Sequence, residues 1–268
     1  MTKKRILYVS QEITPYLPEN DLSKTSRFLP QAMNESGIDV RLFMPRFGCI
    51  NERRHQLHEV IRLSGMNLIV NDIDQPLIIK VASIPQARMQ VYFIDNEEYF
   101  KRKFTTEDKK GAFYADNDER ALFFCRGVIE SVKKLGWSPD VIHCNGWMAS
   151  FLPMYLKKFY HDDPIFEKTK IVVSLYNQSF EGTLSDGLTD KLKFDGYSEE
   201  DLAGFEKVDY KKLAETAINY SDAVIKGSTE LDADLLELIE KSKLPTLEYS
   251  DGEYKEQYKP FYETLFEE

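Results

Sequence analysis

The sequence predicts an α/β protein with a doubly wound, mostly parallel sheet and a small antiparallel excursion. Along most of its 268 residues, short apolar runs rich in β-branched residues alternate with segments of helical period. Between residues 59 and 95 this alternation stops, and four short β-like runs follow one another with only turn residues between them. The chain is long enough to bury a full core.

The first βαβ unit is predicted over residues 5–45. A buried strand over 5–9 is followed by a helix over 22–36, which Gly37 ends, and by a strand over 38–44. The segment 10–30, between the first strand and the helix, contains no glycine. Such a segment follows the carboxyl end of a strand, where open α/β sheets bind their ligands. We therefore expect this loop to contact any small ligand.

The centre of the chain contains the clearest helix, over residues 116–135. Its apolar residues recur at helical spacing and form one stripe: Ala121, Phe124, Cys125, Val128, Ile129, Val132 and Leu135. Asp116 and Glu119 resemble a capping box, and Gly136 is expected to end the helix. Of the four preceding β-like runs, the first ones are expected at the sheet edge and the last, residues 90–94, in the core.

The C-terminal half continues the alternation. Strands are predicted over residues 141–144, 170–175 and 223–226, and helices over 147–160 and 210–219. Thr229 and Asp232 suggest a capping box before another apolar stripe. Residues 180–209 show little pattern and predict a loop with a short helix. We expect residues 1–241 to form one domain and the aromatic-rich tail, 242–268, to pack on it.

Composition excludes several classes of function. A net charge of −10 argues against a general basic face for nucleic acid, so no nucleic-acid partner is expected. No apolar run is long enough to span a membrane or form a signal peptide. Cys49, Cys125 and Cys144 are widely spaced and form no disulfide or metal pattern. A reducing, cytoplasmic setting is therefore the expectation.

The common catalytic and nucleotide-binding motifs are missing. No GxGxxG, Walker A, GxSxG or HExxH pattern occurs. His55 and His58 lie three residues apart, but no third ligand is evident nearby, so no metal site is predicted. His143 ends a predicted strand, where α/β proteins place site residues. Both readings of it stay open, a hydrogen-bonded histidine at a strand end and a functional one.

Several segments, taken in chain order, match one enzyme family. They are SQEITP at 10–15, LP at 29–30, Gly37, VR at 40–41, Pro45, VYFIDNEEYFKR at 91–102, YADNDERALFFCRGVIE at 114–130, PDVIHCNGW at 139–147, PMYLK at 153–157 and YSDAVIKGS at 220–228. In this order they resemble the N-terminal half of bacterial glycogen and starch synthases, which are ADP-glucose-dependent GT-B glycosyltransferases.

The resemblance implies one Rossmann-like half of a GT-B fold, the acceptor-side domain. The family reaction transfers glucose from ADP-glucose to an α-1,4-glucan. No catalytic residue, metal ligand or cofactor is implied for this chain. Substrate-binding positions are implied at Ser10, Glu12, Asp95, Tyr99, His143, Trp147 and Asn177. The aromatic rings among them offer flat faces to sugars, and burial in the core is the alternative for them.

This sequence departs from the family in the loops that serve the sugar nucleotide. Where the family's first loop has Lys-Thr-Gly-Gly-Leu, residues 18–22 read PENDL, so Pro18 replaces the lysine and Asn20 and Asp21 replace the glycines. A cation is lost, an acid is added and close backbone approach is blocked. In the next two loops, Gly146 replaces an aspartate and Tyr176 a histidine.

These departures leave three functions open. The family's second domain, which carries most donor contacts, is expected to be absent from this sequence, so the chain is expected to be inactive alone. A glucan synthase would then need a partner chain to supply that domain. Alternatively, the chain is a non-catalytic glucan-binding or synthase-associated regulatory module, with α-glucan or a full-length glycogen synthase as its partner. A new small-molecule role in the old crevice is the third hypothesis.

Overall fold

A computed structural model describes residues 3–267, and within this range ten strands form one mixed sheet. The strands are β1 (Arg5–Ser10), β2 (Asp39–Pro45), β3 (His58–Glu59), β4 (Met66–Val70), β5 (Ile73–Ile84), β6 (Met89–Asp95), β7 (Val141–Asn145), β8 (Lys170–Leu175), β9 (Ala223–Lys226) and β10 (Thr246–Leu247). The α-helices are α1 (Asp21–Glu35), α2 (Glu52–His55), α3 (Glu97–Phe100), α4 (Asn117–Leu135), α5 (Leu152–Phe159), α6 (Leu188–Phe194), α7 (Tyr210–Asn219), α8 (Ala233–Ser242) and α9 (Lys259–Glu267).

The sheet has the predicted winding. Its strand order is β10-β9-β8-β7-β1-β2-β6-β5-β3, with β4 paired to β5 alone. All neighbours from β10 to β6 are parallel, whereas β3, β4 and β6 each run antiparallel to β5. The chain moves outward from β1 to β2 and β6, then returns to β7 on the other side of β1. This reversal creates a topological switch point at the carboxyl ends of β1 and β7.

Most element bounds agree with the predictions, but two predicted capping boxes are wrong. Asp116 precedes α4 without a side-chain cap bond, because its carboxylate accepts two hydrogen bonds from the Arg102 guanidinium at 2.6 and 2.5 Å. Asp232 precedes α8 without a cap bond as well. The helix predicted over 147–160 is divided into a 3-10 turn, Trp147–Ala149, and α5.

The helix α1 continues through Pro30 to Glu35. Leu22, Leu29 and Met33 form part of its buried face. Since a buried apolar stripe contributes more than helix propensity in proteins, packing against β1 and β2 stabilises α1 despite its proline. The first loop and the start of α1 are thereby held beside the switch point.

The C-terminal segment lies on the same side of the sheet as α1. A π-helical turn, Tyr254–Tyr258, packs on α1, and α9 reaches β7. Three tyrosines of the segment, Tyr254, Tyr258 and Tyr262, are buried. Beneath them lies a row of polar side chains on alternate residues of β1, β7 and β8, which we call the polar row: Tyr8, Ser10, His143, Asn145 and Ser174. Among residues 3–267 no helix is long and apolar enough to cross a membrane.

Candidate functional site

A cavity of about 420 Å³ opens at the carboxyl edge of the sheet. It lies between the start of α1 and the loops that follow β8 and β9. We call it the crevice, and its lining residues are Asn20, Asp21, Tyr176, Asn177, Gln178, Ser228, Thr229 and Glu230. This position agrees with the rule that open α/β sheets bind ligands outside the carboxyl ends of their strands.

The N-terminus of α1 is capped by its own side chains. Asn20 Oδ1 accepts a hydrogen bond from the Ser23 amide at 2.8 Å, and Ser23 Oγ accepts one from the Asn20 amide at 2.9 Å. Asn20 Nδ2 also donates to Glu12 Oε2 at 2.7 Å. A helix N-terminus attracts anions through free amides and the helix dipole. Here the reciprocal cap already uses the amide of Ser23. The exposed carboxylate of Asp21, in the first turn, adds a negative charge at the same end of the helix.

Acidic residues of the C-terminal segment hold two lysines near the crevice. Lys24 Nζ lies 3.9 Å from Asp251 Oδ1. Lys226 Nζ, at the end of β9, lies 2.8 Å from Glu248 Oε1. The lining residues themselves include Asp21 and no lysine or arginine within the part of the chain that the structure describes. The crevice therefore offers amides, hydroxyls and carboxylates rather than a cation.

Tyr176 forms a buried wall of the crevice. Its hydroxyl donates to Asn145 Oδ1 at 2.9 Å, and burial raises the pKa of this phenol well above its ordinary value, so it stays a donor. Gly227 lies against the ring, since a Cβ there would approach Tyr176 Cε1 to 2.4 Å. Tyr210 donates from its hydroxyl to the Tyr176 carbonyl at 2.6 Å. The hydroxyl hydrogen bond and Gly227 thus hold the side chain, and Tyr210 holds the backbone of the same residue.

Asn177 connects the loops after β8 and β9. Its Nδ2 donates to the Glu230 carbonyl at 2.8 Å, and its Oδ1 accepts from the Asp232 amide at 2.9 Å. The side chain is exposed and lines the crevice. It therefore sets the shape of this wall, because both of its polar atoms are bonded to the backbone of the facing loop.

At the switch point the loops after β1 and β7 touch closely. Gly146 has a φ of +86°, and a Cβ there would lie 2.7 Å from Gln11 Cβ and 2.8 Å from Leu22 Cδ1. Met148 donates its amide to Gln11 Oε1 at 3.1 Å. No side chain fits at position 146 without displacing its neighbours, so the aspartate implied there by the family resemblance has no room in this arrangement.

His143 is buried in the polar row. Its Nδ1 lies 2.7 Å from the Tyr262 hydroxyl, and its Nε2 lies 2.6 Å from Ser174 Oγ. Burial lowers the pKa of this imidazole to about 3, so the ring is neutral near pH 7. Ser10 is buried in the same row. Of the two readings left open, the hydrogen-bonded histidine describes this geometry.

The structure brings only part of the implied set to the crevice. Asn177 lines it and Glu12 contacts it through Asn20, whereas Trp147 is buried against the stacked rings of Phe113 and Phe180, with ring centroids at 5.7 and 5.2 Å. The Asp95 carboxylate lies 2.9 Å from Lys80 Nζ and 3.4 Å from Arg46 Nε. The hydroxyl of the buried Tyr99 donates to Glu119 at 2.9 Å. Asp95 and Tyr99 therefore belong to separate polar clusters, two strands from β1.

The sequence did not indicate Tyr176 as a wall of the crevice or four further residues as its lining: Gln178, Ser228, Thr229, which was predicted only as a capping residue, and Glu230. Each follows the last residue of β8 or β9 within a few positions, and this was the available signal. Among residues 3–267 no group of three or more histidines, cysteines and carboxylates is arranged to hold a metal. The ring of His55 packs edge-on against Tyr16 at 5.0 Å.

Comparison with known proteins gives a consistent answer. The sequence model of a family described as "Starch synthase catalytic domain" matches residues 5–244. The chain is 38% identical to a glycogen synthase of Chlorobium luteolum over 189 residues, which is 70% of this chain and 39% of the relative. It is 35% identical to a glycogen synthase of Chlorobaculum parvum over 229 residues, 84% of this chain and 46% of the relative. The chain thus spans less than half the length of these curated relatives.

A solved structure gives the same result for the fold. The catalytic domain of starch synthase IV from Arabidopsis thaliana, bound to ADP and acarbose, superimposes with a TM-score of 0.67. The match covers 84% of this chain and 45% of the other, at 18% sequence identity. The mostly parallel α/β fold is therefore similar to that of a starch synthase GT-B catalytic domain.

Proposed function

Because this chain belongs to the family of starch synthase catalytic domains, we propose that its crevice binds an α-glucan and that the chain alone does not transfer glucose from ADP-glucose. The family's reaction gives the substrate class. The local chemistry of the crevice favours the neutral sugar over the anionic donor. The proposal concerns the domain that this sequence contains.

One observation carries the proposal, the capped and acidic start of α1. A nucleoside diphosphate needs free amides or cations at this position. Here the amide of Ser23 is bonded to Asn20, and Asp21 adds a negative charge to the mouth of the crevice. Lys24, the nearest cation along the helix, faces Asp251. An anion at this point would meet like charge and would find the Ser23 amide already bonded.

The same groups suit sugar hydroxyls. Carboxylates accept hydrogen bonds from hydroxyl donors, and amide and hydroxyl side chains both donate and accept. Gln178, in the loop after β8, and Ser228 and Thr229, in the loop after β9, supply such groups. Ligand sites of this kind combine a preformed cavity with a few well-placed polar groups. A cavity of about 420 Å³ is of the size that holds a small ligand.

Catalysis and binding are tested separately. Purified chain is incubated with ADP-glucose and glycogen, and ADP release is followed; the expected rate equals that of a blank without protein. Turnover clearly above the blank would contradict the non-catalytic part. Binding of maltoheptaose and of ADP is measured by calorimetry, and the chain is expected to bind only the oligosaccharide.

A blocking variant locates the binding. Glu230 is exposed and lines the crevice, so Glu230→Trp is expected to fill it and weaken maltoheptaose binding at least tenfold. Glu240→Trp, at an exposed position of α8, is the matched control and should bind as the wild type does. Equal affinity of both variants would show that the glucan lies elsewhere.

The charge of Asp21 at the start of α1 can be removed by substitution. Asp21→Asn removes the charge in front of α1, and it is expected to raise ADP affinity roughly threefold to tenfold at low salt. Glu19→Gln removes an equally exposed charge that does not line the crevice. If both variants change ADP affinity alike, the position of Asp21 is not what excludes the anion.

A native pull-down tests the regulatory alternative. Capture of a full-length glycogen synthase together with failure to bind glucan would favour an associated regulatory module over a glucan-binding one. The cytoplasmic setting stays a prediction.

A further inference from the structure

A groove runs along the strand β4, at the edge of the sheet. Its volume is about 540 Å³, and we call it the β4 groove. It lies between β4 and the helices α4, α5 and α6, and it shares no lining residue with the crevice. On the strand side four consecutive residues line it, 66–69. Since side chains of a strand alternate between its two faces, such a run means that the edge of β4 borders the groove.

This edge of β4 carries no strand. Among residues 3–267, β4 pairs with β5 alone. A two-residue turn with φ of +52° and +60° connects Val70 to Ile73, as in a type I′ hairpin, so these two residues are a hydrogen-bonded pair. Because such pairs alternate along an antiparallel ladder, the N–H and C=O groups of Asn67 and Ile69 point away from β5.

Two contacts agree with this direction. The Ile69 carbonyl accepts a hydrogen bond from Arg126 Nη1 at 2.6 Å, and Arg126 lines the groove. Opposite Asn67 on β5 lies Pro76, which has no N–H to give to the ladder. The N–H and C=O of Asn67 and the N–H of Ile69 therefore face the groove, where a further strand can bond to them.

The strand β4 lacks the usual protection of an edge. Exposed edges are commonly blunted by charged residues, prolines or bulges. β4 reads MNLIV and contains neither a charge nor a proline. Its Ile69 is 44% exposed, and Phe194, on the opposite wall of the groove, is 51% exposed. Exposed apolar side chains on both sides of an open edge are typical of a binding surface.

The opposite wall determines the shape of what can bind. It carries aromatic side chains from α5, from the residue after it and from α6: Tyr155, Phe159, Tyr160 and Phe194. A groove that has helices on its far side admits a single extended segment, whereas the edge strand of a second folded copy would bring its neighbouring elements into these helices. The fitting occupant is therefore an extended segment of another protein.

The charges in the groove select a side chain of that segment. Arg126 lies 2.6 Å from Asp195 Oδ1, so these two lining residues compensate each other. Glu130 also lines the groove and has no ion-pair partner among residues 3–267. Lys133, one turn further along α4, is held by Asp163 at 3.1 Å. A basic side chain of the partner would complement the charge of Glu130.

We propose that the β4 groove binds an extended segment of a partner protein by β-augmentation. The segment adds a strand to the open edge of β4 through main-chain hydrogen bonds. It places an apolar side chain against the aromatic wall and a basic side chain near Glu130. The proposal is independent of glucan binding in the crevice.

The probe is a peptide selected for the wild-type chain. Random heptapeptides displayed on phage are selected on immobilised chain, and the best one is synthesised with a fluorescent label. Anisotropy then gives its affinity. Selected peptides are expected to combine a basic residue with large apolar residues. If no peptide is enriched over a surface without protein, the proposal is refuted.

Two variants of one residue test the strand edge. Asn67→Pro removes an N–H that points into the groove and leaves the bonds between β4 and β5 in place, since proline is tolerated at such edge positions. It is expected to weaken peptide binding about tenfold, the effect of one or two lost hydrogen bonds. Asn67→Ala keeps the N–H and is the matched control, with wild-type affinity expected. Urea unfolding verifies that both variants fold.

A change in the peptide tests the same bonds on the wild-type chain. In an added strand, every second amide points toward β4. Methylation of the peptide nitrogens at one set of alternate positions should abolish binding, and methylation at the other set should leave it unchanged. If both sets have the same effect, binding does not add a strand and the proposal is refuted.

The aromatic wall has a matched pair of its own. Phe194→Ala is expected to weaken peptide binding about fivefold or more. Phe104→Ala changes a phenylalanine that is 42% exposed and does not line the groove, and it should bind as the wild type does. Equal affinity of the two variants would place the peptide outside the groove and refute the proposal. Saturating maltoheptaose should leave peptide affinity unchanged, so failure of the crevice to bind glucan would not alter these outcomes.

Discussion

The buried imidazole of His143 makes the stability of the fold depend on pH. Its pKa is lowered from 6.5 to about 3 by burial. The folded protein therefore holds His143 neutral, while the unfolded chain binds a proton once the pH falls below about 6.5. This contribution to stability is complete above that pH and is lost progressively as the pH falls toward 3.

The size of the effect follows from linkage. Lowering the pH from about 7.5 to about 5 covers roughly 1.5 units below the unfolded pKa, and each unit corresponds to about 1.36 kcal/mol. The free energy of unfolding is expected to fall by about 2 kcal/mol through His143 alone. The raised pKa values of the Asp118 and Asp195 carboxyls, caused first by burial, act in the opposite direction. A variant that changes only His143 isolates its share.

The variant is His143→Gln, whose amide has a donor and an acceptor for Tyr262 and Ser174 but does not titrate. Urea unfolding at both pH values gives the two free energies of unfolding for each protein. The loss on acidification should be about 2 kcal/mol smaller in the variant than in the wild type. His161→Gln, at an exposed position, should keep the wild-type loss. Equal losses in wild type and His143→Gln would refute the burial argument.

Two further predictions concern packing and charge. Gly227→Ala places a methyl group 2.4 Å from the Tyr176 ring, so it should destabilise the fold by about 1–3 kcal/mol and weaken oligosaccharide binding, measured by urea unfolding and calorimetry. An unchanged affinity would show that the position of the Tyr176 ring does not affect oligosaccharide binding. Lys191→Met leaves Asp118 as an unpaired buried carboxylate and should cost about 3–5 kcal/mol, whereas Lys193→Met, at a largely exposed pair, should cost about 0–1 kcal/mol. Similar losses in both would contradict this account.

Local patterns predicted the elements because the relevant forces are local. The helix α7 and the strand β9 have the predicted bounds, since periodicity and flanking residues determine both. The cap of α4 was not predictable in the same way. The carboxylate of Asp116 accepts two charge-assisted hydrogen bonds from Arg102, which lies in the loop before α4.

The place of the crevice was predictable, whereas its chemistry was only partly so. Strand order determines that ligands approach the carboxyl edge, and the loop 10–30 lies there as expected. The acids that pair with Lys24 and Lys226 come from the C-terminal segment, outside the strand and helix to which each lysine belongs. Spacing along the chain does not predict such contacts. The loss of the lysine and glycines from the first loop was visible, but the hydrogen bonds that Asn20 makes instead were not.

The C-terminal segment covers the polar row, and this has a consequence for synthesis on the ribosome. His143 and Tyr262 are separated by 119 positions, and the side chain of Tyr262 completes the hydrogen bonds of that histidine. At typical rates of translation the strand waits roughly 6–24 s for its partner. During this interval the face around β1 and β7 is open to water and to other chains. The nascent protein is therefore expected to need a chaperone most in this interval, after β7 has emerged and before α9 has docked.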